Sequence, residues 1–238
     1  MTAAGSNLTA QYRVLGTRVD AVQIPGVIAQ IQDWIARRDS CRYVGAPAEK
    51  YTPTLKISKK AQEDAGRFLR ARRIPQDAVV IGFHSGARIP IRRWGDERFT
   101  EVALGLLRQE NLPIVWFSEP GSISNSPSHD RCHSATLDFD SFVAVLSRCQ
   151  FLVCNDSGPM HLANLLAVPV VAIFGSTNHV WFGPRGPNDR VVIRQEMWCR
   201  PCFDYCIFDQ PYCLRAIEPQ DVLDAATHLL SYIEQESV

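Results

Sequence analysis

The chain has 238 residues, 46% of them hydrophobic, enough for one good-sized core or two small ones and typical of a soluble globular protein. Its 25 basic and 25 acidic residues cancel, which removes any electrostatic case for nucleic acid or an anionic membrane as the main partner. Residues 1–13 are polar and lack the apolar core of a signal peptide, and no apolar run is long enough to span a bilayer. The expected compartment is therefore the cytoplasm, with the eight cysteines mostly reduced.

Residues 1–11 are expected to lack order. Residues 14–22 read as a short strand and turn. Residues 25–38 read as an amphipathic helix, with Val27, Ile28, Ile31, Trp34 and Ile35 on one stripe and Pro25 where a first helical turn tolerates it. Pro47 and Pro53 break the stretch 39–58, a linker and candidate boundary. A second amphipathic helix spans 59–72.

From Ala78 short apolar runs alternate with helical periodicity. Strands are expected at 78–83, 113–117, 151–154, 170–174 and 191–193, and helices at 96–109, 141–148, 160–167 and 219–234. This alternation predicts an α/β domain: a Rossmann-like parallel sheet with helices on both faces over 59–238. Residues 1–58 are expected to form a small N-terminal α/β appendage.

Such sheets bind ligands beyond the carboxyl ends of their strands. That rule selects the loops at 84–94, 155–159 and 175–183. In Asn155-Asp156-Ser157-Gly158-Pro159-Met160-His161 a buried strand gives way to a helix. Gly158 allows close backbone approach, and the helix N-terminus suits a diphosphate. Asp156 is odd beside an anion; it either takes ribose hydroxyls or holds the loop. Read in isolation, the segment is equally an ordinary helix cap. Ser85 and Gly86 can cradle phosphate oxygens or simply form a tight turn. Arg92, in Arg92-Arg93-Trp94, can neutralise charge on a departing diphosphate, or it belongs to a solvated basic pair with Trp94 as packing anchor. Gly175-Ser176-Thr177 adds donors for phosphate, or is a plain turn.

Order and spacing change the weight of these signals. His84-Ser85-Gly86, Arg92-Arg93-Trp94, the segment from Asn155 to Ala163, then Val168-Pro169-Val170-Val171-Ala172-Ile173-Phe174-Gly175 and Gly183-Pro184 resemble the second half of glycosyltransferase family 9, the ADP-heptose:lipopolysaccharide heptosyltransferases. The likeness runs from about residue 59 to 230. It implies the C-terminal, nucleotide-sugar-binding half of a GT-B fold. By motif position, Ser157, Gly158 and His161 would touch the diphosphate, Asp156 would lie close to the donor, and Arg92 would stand where the family usually has a lysine. Arginine keeps the charge but changes the geometry. Ser85 replaces a usual proline, and Glu119 is a displaced substitute for an acidic residue that contacts ribose.

The resemblance thus implies transfer of a sugar from an ADP-sugar, with ADP-heptose the leading donor, to a lipopolysaccharide or other surface-polysaccharide acceptor. No cofactor or metal is called for, because Arg92 and the helix N-terminus can stabilise the leaving diphosphate. The alternative is a truncated, non-catalytic nucleotide-sugar-binding subunit that needs a partner. The family's catalytic aspartate belongs to an acceptor-binding domain, and nothing in residues 1–58 matches its context; Asp20 is a poor candidate. A partner chain or dimer mate would supply that domain, and the acceptor implies peripheral contact with the inner-membrane face. Residues 14–34 also resemble the opening of the WecG/TagA/CpsF glycosyltransferases, over a short stretch.

Cys199-x2-Cys202-x3-Cys206-x6-Cys213 has a metal-like spacing for zinc or an iron–sulfur cluster, but its second pair is not a C-x2-C knuckle. Packing thiols or a disulfide are the favoured reading, with a metal-binding interaction module as the third hypothesis. Trp198, Phe203 and Tyr205 suggest a segment tied into the core or a partner.

Overall fold

The computed structural model describes residues 55–110, 112–121 and 125–236. The strand expected at 14–22 and the helix expected at 25–38 lie outside the described residues.

The first element is α1 (Lys59–Ala71), whose N-terminus is capped by Ser58 accepting from the Ala61 N–H at 3.2 Å. Leu55 N–H donates to the Leu165 carbonyl, which ties the residues just before α1 to the same domain. Then follow β1 (Ile81–His84), a 3₁₀ turn at Pro90–Arg92, α2 (Asp96–Gln109), β2 (Ile114–Ser118), β3 (Cys132–Thr136), α3 (Phe139–Leu146), β4 (Phe151–Asn155), α4 (Gly158–Leu165), β5 (Val170–Phe174), α5 (His179–Phe182), β6 (Arg190–Ile193), α6 (Tyr212–Arg215) and α7 (Pro219–Glu236).

The strands form one six-stranded sheet in the order β3-β2-β1-β4-β5-β6, parallel throughout. From β1 the chain winds outward to β3, then returns beside β1 with β4 and winds the other way. The strand order therefore reverses between β1 and β4, and a crevice opens at the carboxyl ends of these two strands. This is the doubly wound arrangement expected from the alternating text.

Helices cover both faces of the sheet, so the central strands are buried on both sides and read as continuous apolar runs. On one face Ile81, Phe83, Ile114, Trp116, Phe151, Val153, Val171 and Ile173 pack under α2 and α7. Phe99 of α2 is fully buried there, its ring edge-on to Phe83, Trp94 and Trp116, with centroids 6.5, 5.3 and 6.4 Å away. The other face carries Gly82, Phe117 and Leu152. A Cβ on Gly82 would stand 3.1 Å from Leu152 Cδ1 and 3.2 Å from Cys149 Sγ, so glycine is what lets this layer close. Asp138 caps α3 through the Ser141 N–H at 2.9 Å.

From residue 59 on, the expected strands and helices are present with ends shifted by a few residues. β3 is an addition that periodicity did not foretell. It is an edge strand of mixed burial, with Ala135 its one buried side chain, so its text Cys-His-Ser-Ala-Thr lacks the apolar signature of the central strands. The one-turn helices α5 and α6 are too short to show a period.

Phe99→Ala is expected to lower unfolding free energy by about 3–5 kcal/mol in denaturant titration, since it opens a large cavity beneath three aromatic rings. A loss below about 1 kcal/mol would contradict this packing.

Candidate functional site

Three loops meet at the carboxyl ends of β1, β4 and β5, as the position of the crevice requires. Their junction is built on Asn155 and Asp156. Asn155, the last residue of β4, is fully buried. Its Oδ1 accepts the Trp94 N–H at 3.1 Å and its Nδ2 donates to the Ser85 carbonyl at 2.7 Å. One amide thereby pins both ends of the β1 loop. Asp156 is 4% exposed; its backbone N–H donates to the Ile173 carbonyl of β5. Its carboxylate accepts the Thr177 hydroxyl at 2.6 Å and lies 3.2 Å from Arg92 Nη1. Asp156 therefore joins all three loops.

Arg92 reaches the site because the 3₁₀ turn at Pro90–Arg92 aims it inward, while its neighbours are anchored elsewhere. Arg93 Nε donates to the Ala87 carbonyl at 2.7 Å, and the Trp94 indole N–H donates to the Ile217 carbonyl at 3.0 Å. Trp94 is the packing anchor, and Arg92 belongs to the site. A second carboxylate, Asp204, grips the Arg92 guanidinium through Nε at 3.0 Å and Nη2 at 2.6 Å. Burial works against the Arg92 charge, but hydrogen bonding to Asp204 and the charges of Asp156 and Asp204 outweigh it and hold the guanidinium protonated above its usual range. Burial pushes the Asp156 carboxyl up, against the pull of Arg92 and Thr177. Asp204 is pushed up by its partial burial, yet Arg92 and the Ser176 hydroxyl bring it below the ordinary carboxylate range.

The remaining expected site residues lie around this cluster. Ser157 Oγ donates to the Asn155 carbonyl at 3.1 Å and makes no cap bond, so the helix cap expected as the plain alternative is not what Ser157 forms. Gly158 is the first residue of α4, and His161 follows in its first turn, half-buried. Thr177 is 1% exposed and its hydroxyl is committed to Asp156. Ser85 is 8% exposed. A Cβ on Gly86 would stand 2.9 Å from His84 Cε1 and 3.7 Å from Glu119 Oε1, so a larger residue would press on the buried His84 ring. These positions place the Glu119 carboxyl beside the β1 loop.

Sequence reasoning missed Asp204, which lies 112 residues from Arg92 in a segment read for its cysteines. It has no local signature; only the fold brings it to the site. Cys199, Cys202, Cys206 and Cys213 are free thiols, and among the described residues no group of three or more His, Cys, Asp or Glu side chains is arranged to hold a metal ion. The aromatic side chains of this segment do not enter the core: Trp198 is 79% and Tyr205 84% exposed. Polar groups tie the segment down instead, with Arg200 donating to the carbonyls of Gly175, Thr177 and Arg194.

His84, at the end of β1, is buried, and among the described residues its Nδ1 has no hydrogen-bond partner. Burial lowers its pKa, with Glu119 opposing. A pKa lower in the folded than in the unfolded chain means that the neutral ring contributes stability above about pH 6.5. That contribution disappears as the pH falls through the folded value. His84→Asn is expected to flatten the loss of stability on acidification below about pH 6.5, measured as denaturation midpoints against pH; an unchanged slope would count against a buried neutral ring. Asn155→Ala strands the Ser85 carbonyl and the Trp94 N–H and is expected to cost about 2–4 kcal/mol of stability, which chemical denaturation checks.

Comparison with known proteins agrees with this architecture. The sequence profile of glycosyltransferase family 9 (heptosyltransferase) matches residues 19–212, beginning upstream of the likeness read from residue 59. The lipopolysaccharide heptosyltransferase 2 of Escherichia coli K12 is 30% identical over 131 residues, covering 50% of this chain and 37% of that protein. The lipooligosaccharide heptosyltransferase 2 of Campylobacter jejuni serotype O:2 is 24% identical over 164 residues, covering 63% of this chain and 51% of that protein. The solved structure of E. coli ADP-heptose lipopolysaccharide heptosyltransferase II superposes with a TM-score of 0.63 at 22% identity, over 81% of this chain and 56% of that one, which supports the half-GT-B fold. The chain spans about half the length, or less, of the curated relatives it matches. The profile match extends over most of its residues, and the chain belongs to glycosyltransferase family 9.

Proposed function

We propose that the crevice between β1 and β4 binds the ADP portion of a nucleotide-sugar donor, ADP-heptose first among candidates, in a heptosyltransferase-type reaction of lipopolysaccharide or related surface-polysaccharide assembly. The observation that carries this reading is the Asp156–Arg92–Thr177 junction, which gathers three strand-end loops around the N-terminus of α4. An oriented cation and a helix N-terminus are the groups that a leaving diphosphate requires. Ser157, Gly158 and His161 supply the diphosphate contacts, joined by the Ser85-Gly86 loop. Glu119, beside that loop, takes the ribose hydroxyls.

The reaction is attack by an acceptor hydroxyl on the anomeric carbon of the donor, with ADP leaving. Arg92 and the α4 N-terminus act on the departing diphosphate, where charge grows in the transition state. Asp156 fixes Arg92 and Thr177 and so sets the geometry. The base that takes the acceptor proton is assigned to an acceptor-binding domain, supplied by a partner chain or a second copy, at the inner face of the membrane. Residues 59–238 form the donor domain, with 1–58 as its appendage.

A thermal-shift panel of ADP-, GDP- and UDP-sugars tests the donor: an ADP-sugar is expected to raise the melting temperature most, by mass action. Stabilisation by a UDP-sugar with none by ADP-sugars would reject the assignment. Arg92→Ala and His161→Ala are each expected to weaken ADP-sugar binding about tenfold or more by calorimetry. Release of ADP from ADP-heptose with a lipopolysaccharide-core acceptor separates transfer by this chain from donor binding that requires a partner.

A further inference from the structure

We propose that Asp204, in the cysteine-rich segment 199–213, is a positioning residue for Arg92: it holds one edge of the guanidinium so that the other edge faces the donor diphosphate. The inference rests on the donor-site reading above and adds a residue to it.

The geometry is that of a clamp on one edge of a planar fork. Asp204 Oδ1 and Oδ2 lie 3.0 and 3.1 Å from Nε, and Oδ2 lies 2.6 Å from Nη2. The Nε–Nη2 edge is thereby taken. Nη1 is left toward Asp156, whose Oδ2 is 3.2 Å away and which stands two residues before the start of α4. A guanidinium has five donors in fixed directions, so gripping one edge fixes where the others point. An ammonium at the same place would be a point charge with no second edge to aim. Arg92 and the aspartate on the distant segment thus act as one device.

Asp204 is itself held rigidly. The Ser176 hydroxyl donates to Oδ1 at 2.5 Å, and the N–H groups of Cys202 and Phe203 both donate to the Ser176 carbonyl at 3.0 Å. Arg200 binds the carbonyls on either side, at Gly175 and, at 3.0 Å, at Thr177. Phe203 and Asp204 have positive φ, 50° and 72°, a region that residues other than glycine, asparagine and aspartate seldom adopt. They are the central pair of a tight turn that the Tyr205 N–H closes on the Cys202 carbonyl at 3.0 Å, and the bonds to Ser176 anchor that turn. A segment bonded in this way to the loop that follows β5 is built into the junction of loops, and it presents Asp204 in one place.

The opposing view is that Asp204 merely occupies Arg92 and repels an incoming anion. The two views differ in sign. If Asp204 were a competitor, removing its negative charge would tighten ADP binding. If it positions Arg92, removal frees the guanidinium to turn a full edge onto Asp156, and ADP binds more weakly.

Calorimetry of ADP with the full chain decides between them, using wild type, Asp204→Ala, Asp204→Asn, Arg92→Ala and the Arg92→Ala/Asp204→Ala double variant, with adenosine followed by ligand-observed NMR. The expected result is ADP binding weakened about tenfold or more in either Asp204 variant, adenosine binding unchanged, and the double variant no weaker than Arg92→Ala alone. If Asp204→Ala does not fold, Asp204→Asn, with its unchanged shape, is read by the same criteria. Unchanged or tighter ADP binding would overturn the proposal. So would equal weakening of ADP and adenosine, or additive effects of the Arg92 and Asp204 changes, since these mark a merely structural role. Failure of the wild-type chain to bind ADP would instead remove the donor-site reading itself, and the role of Asp204 with it.

Discussion

Everything at the carboxyl end of this sheet depends on one buried carboxylate and its compensation. Asp156 sits at 4% exposure where β4 ends, and a lone ionised carboxylate there would be costly to desolvate. It is tolerated because Thr177 donates to it from the β5 loop and Arg92 faces it from the β1 loop. The requirement runs in both directions: the loops satisfy Asp156, and Asp156 fixes the loops. Breaking such a buried pair by removing one partner leaves an uncompensated charge, which typically costs about 3–5 kcal/mol. The site is therefore part of the fold's own polar accounting, set where the doubly wound topology opens a crevice.

The charge count around Arg92 sharpens what the site can do. One guanidinium meets two carboxylates, Asp156 and Asp204, before any ligand arrives. An anion cannot be recognised there by net positive charge. On the donor-site reading it is recognised by direction: the Gly158 N–H at the start of α4, where Pro159 has no N–H and Met160 donates to the Ser157 carbonyl, and the edge of Arg92 that Asp204 leaves open. Such a site favours a ligand with several acceptor oxygens at fixed spacing, as a diphosphate has, over a diffuse negative charge.

Much of this was legible in the chain before any coordinates. Apolar runs such as Val170–Phe174 announce buried parallel strands because both of their faces are covered, and the helical stripe of α2 announces the face that meets the sheet. The loops that carry Ser85, Arg92, Asp156 and Thr177 follow from the rule that strand ends bind ligands, and the family likeness ranks them. What periodicity could not show is of two kinds. β3 is an edge strand whose polar text resembles a loop. Asp204 contacts Arg92 across 112 residues, and no local pattern encodes a contact set by tertiary structure alone.

The roles of the hydroxyls show the same limit more finely. Ser157 reads from sequence as a diphosphate contact or a helix cap, and Thr177 as a phosphate donor or part of a plain turn. In the fold Thr177 gives its proton to Asp156 and Ser157 to the Asn155 carbonyl. Their hydroxyls thereby shape the walls of the crevice, and on the donor-site reading these positions offer a ligand backbone N–H groups and hydroxyl oxygens as acceptors. A diphosphate offers no protons near neutral pH, so the acceptor capacity is of no use to it. On the proposed donor-site reading, recognition therefore rests on the main chain at Gly158 and on the aim of the Arg92 guanidinium more than on the number of polar side chains nearby.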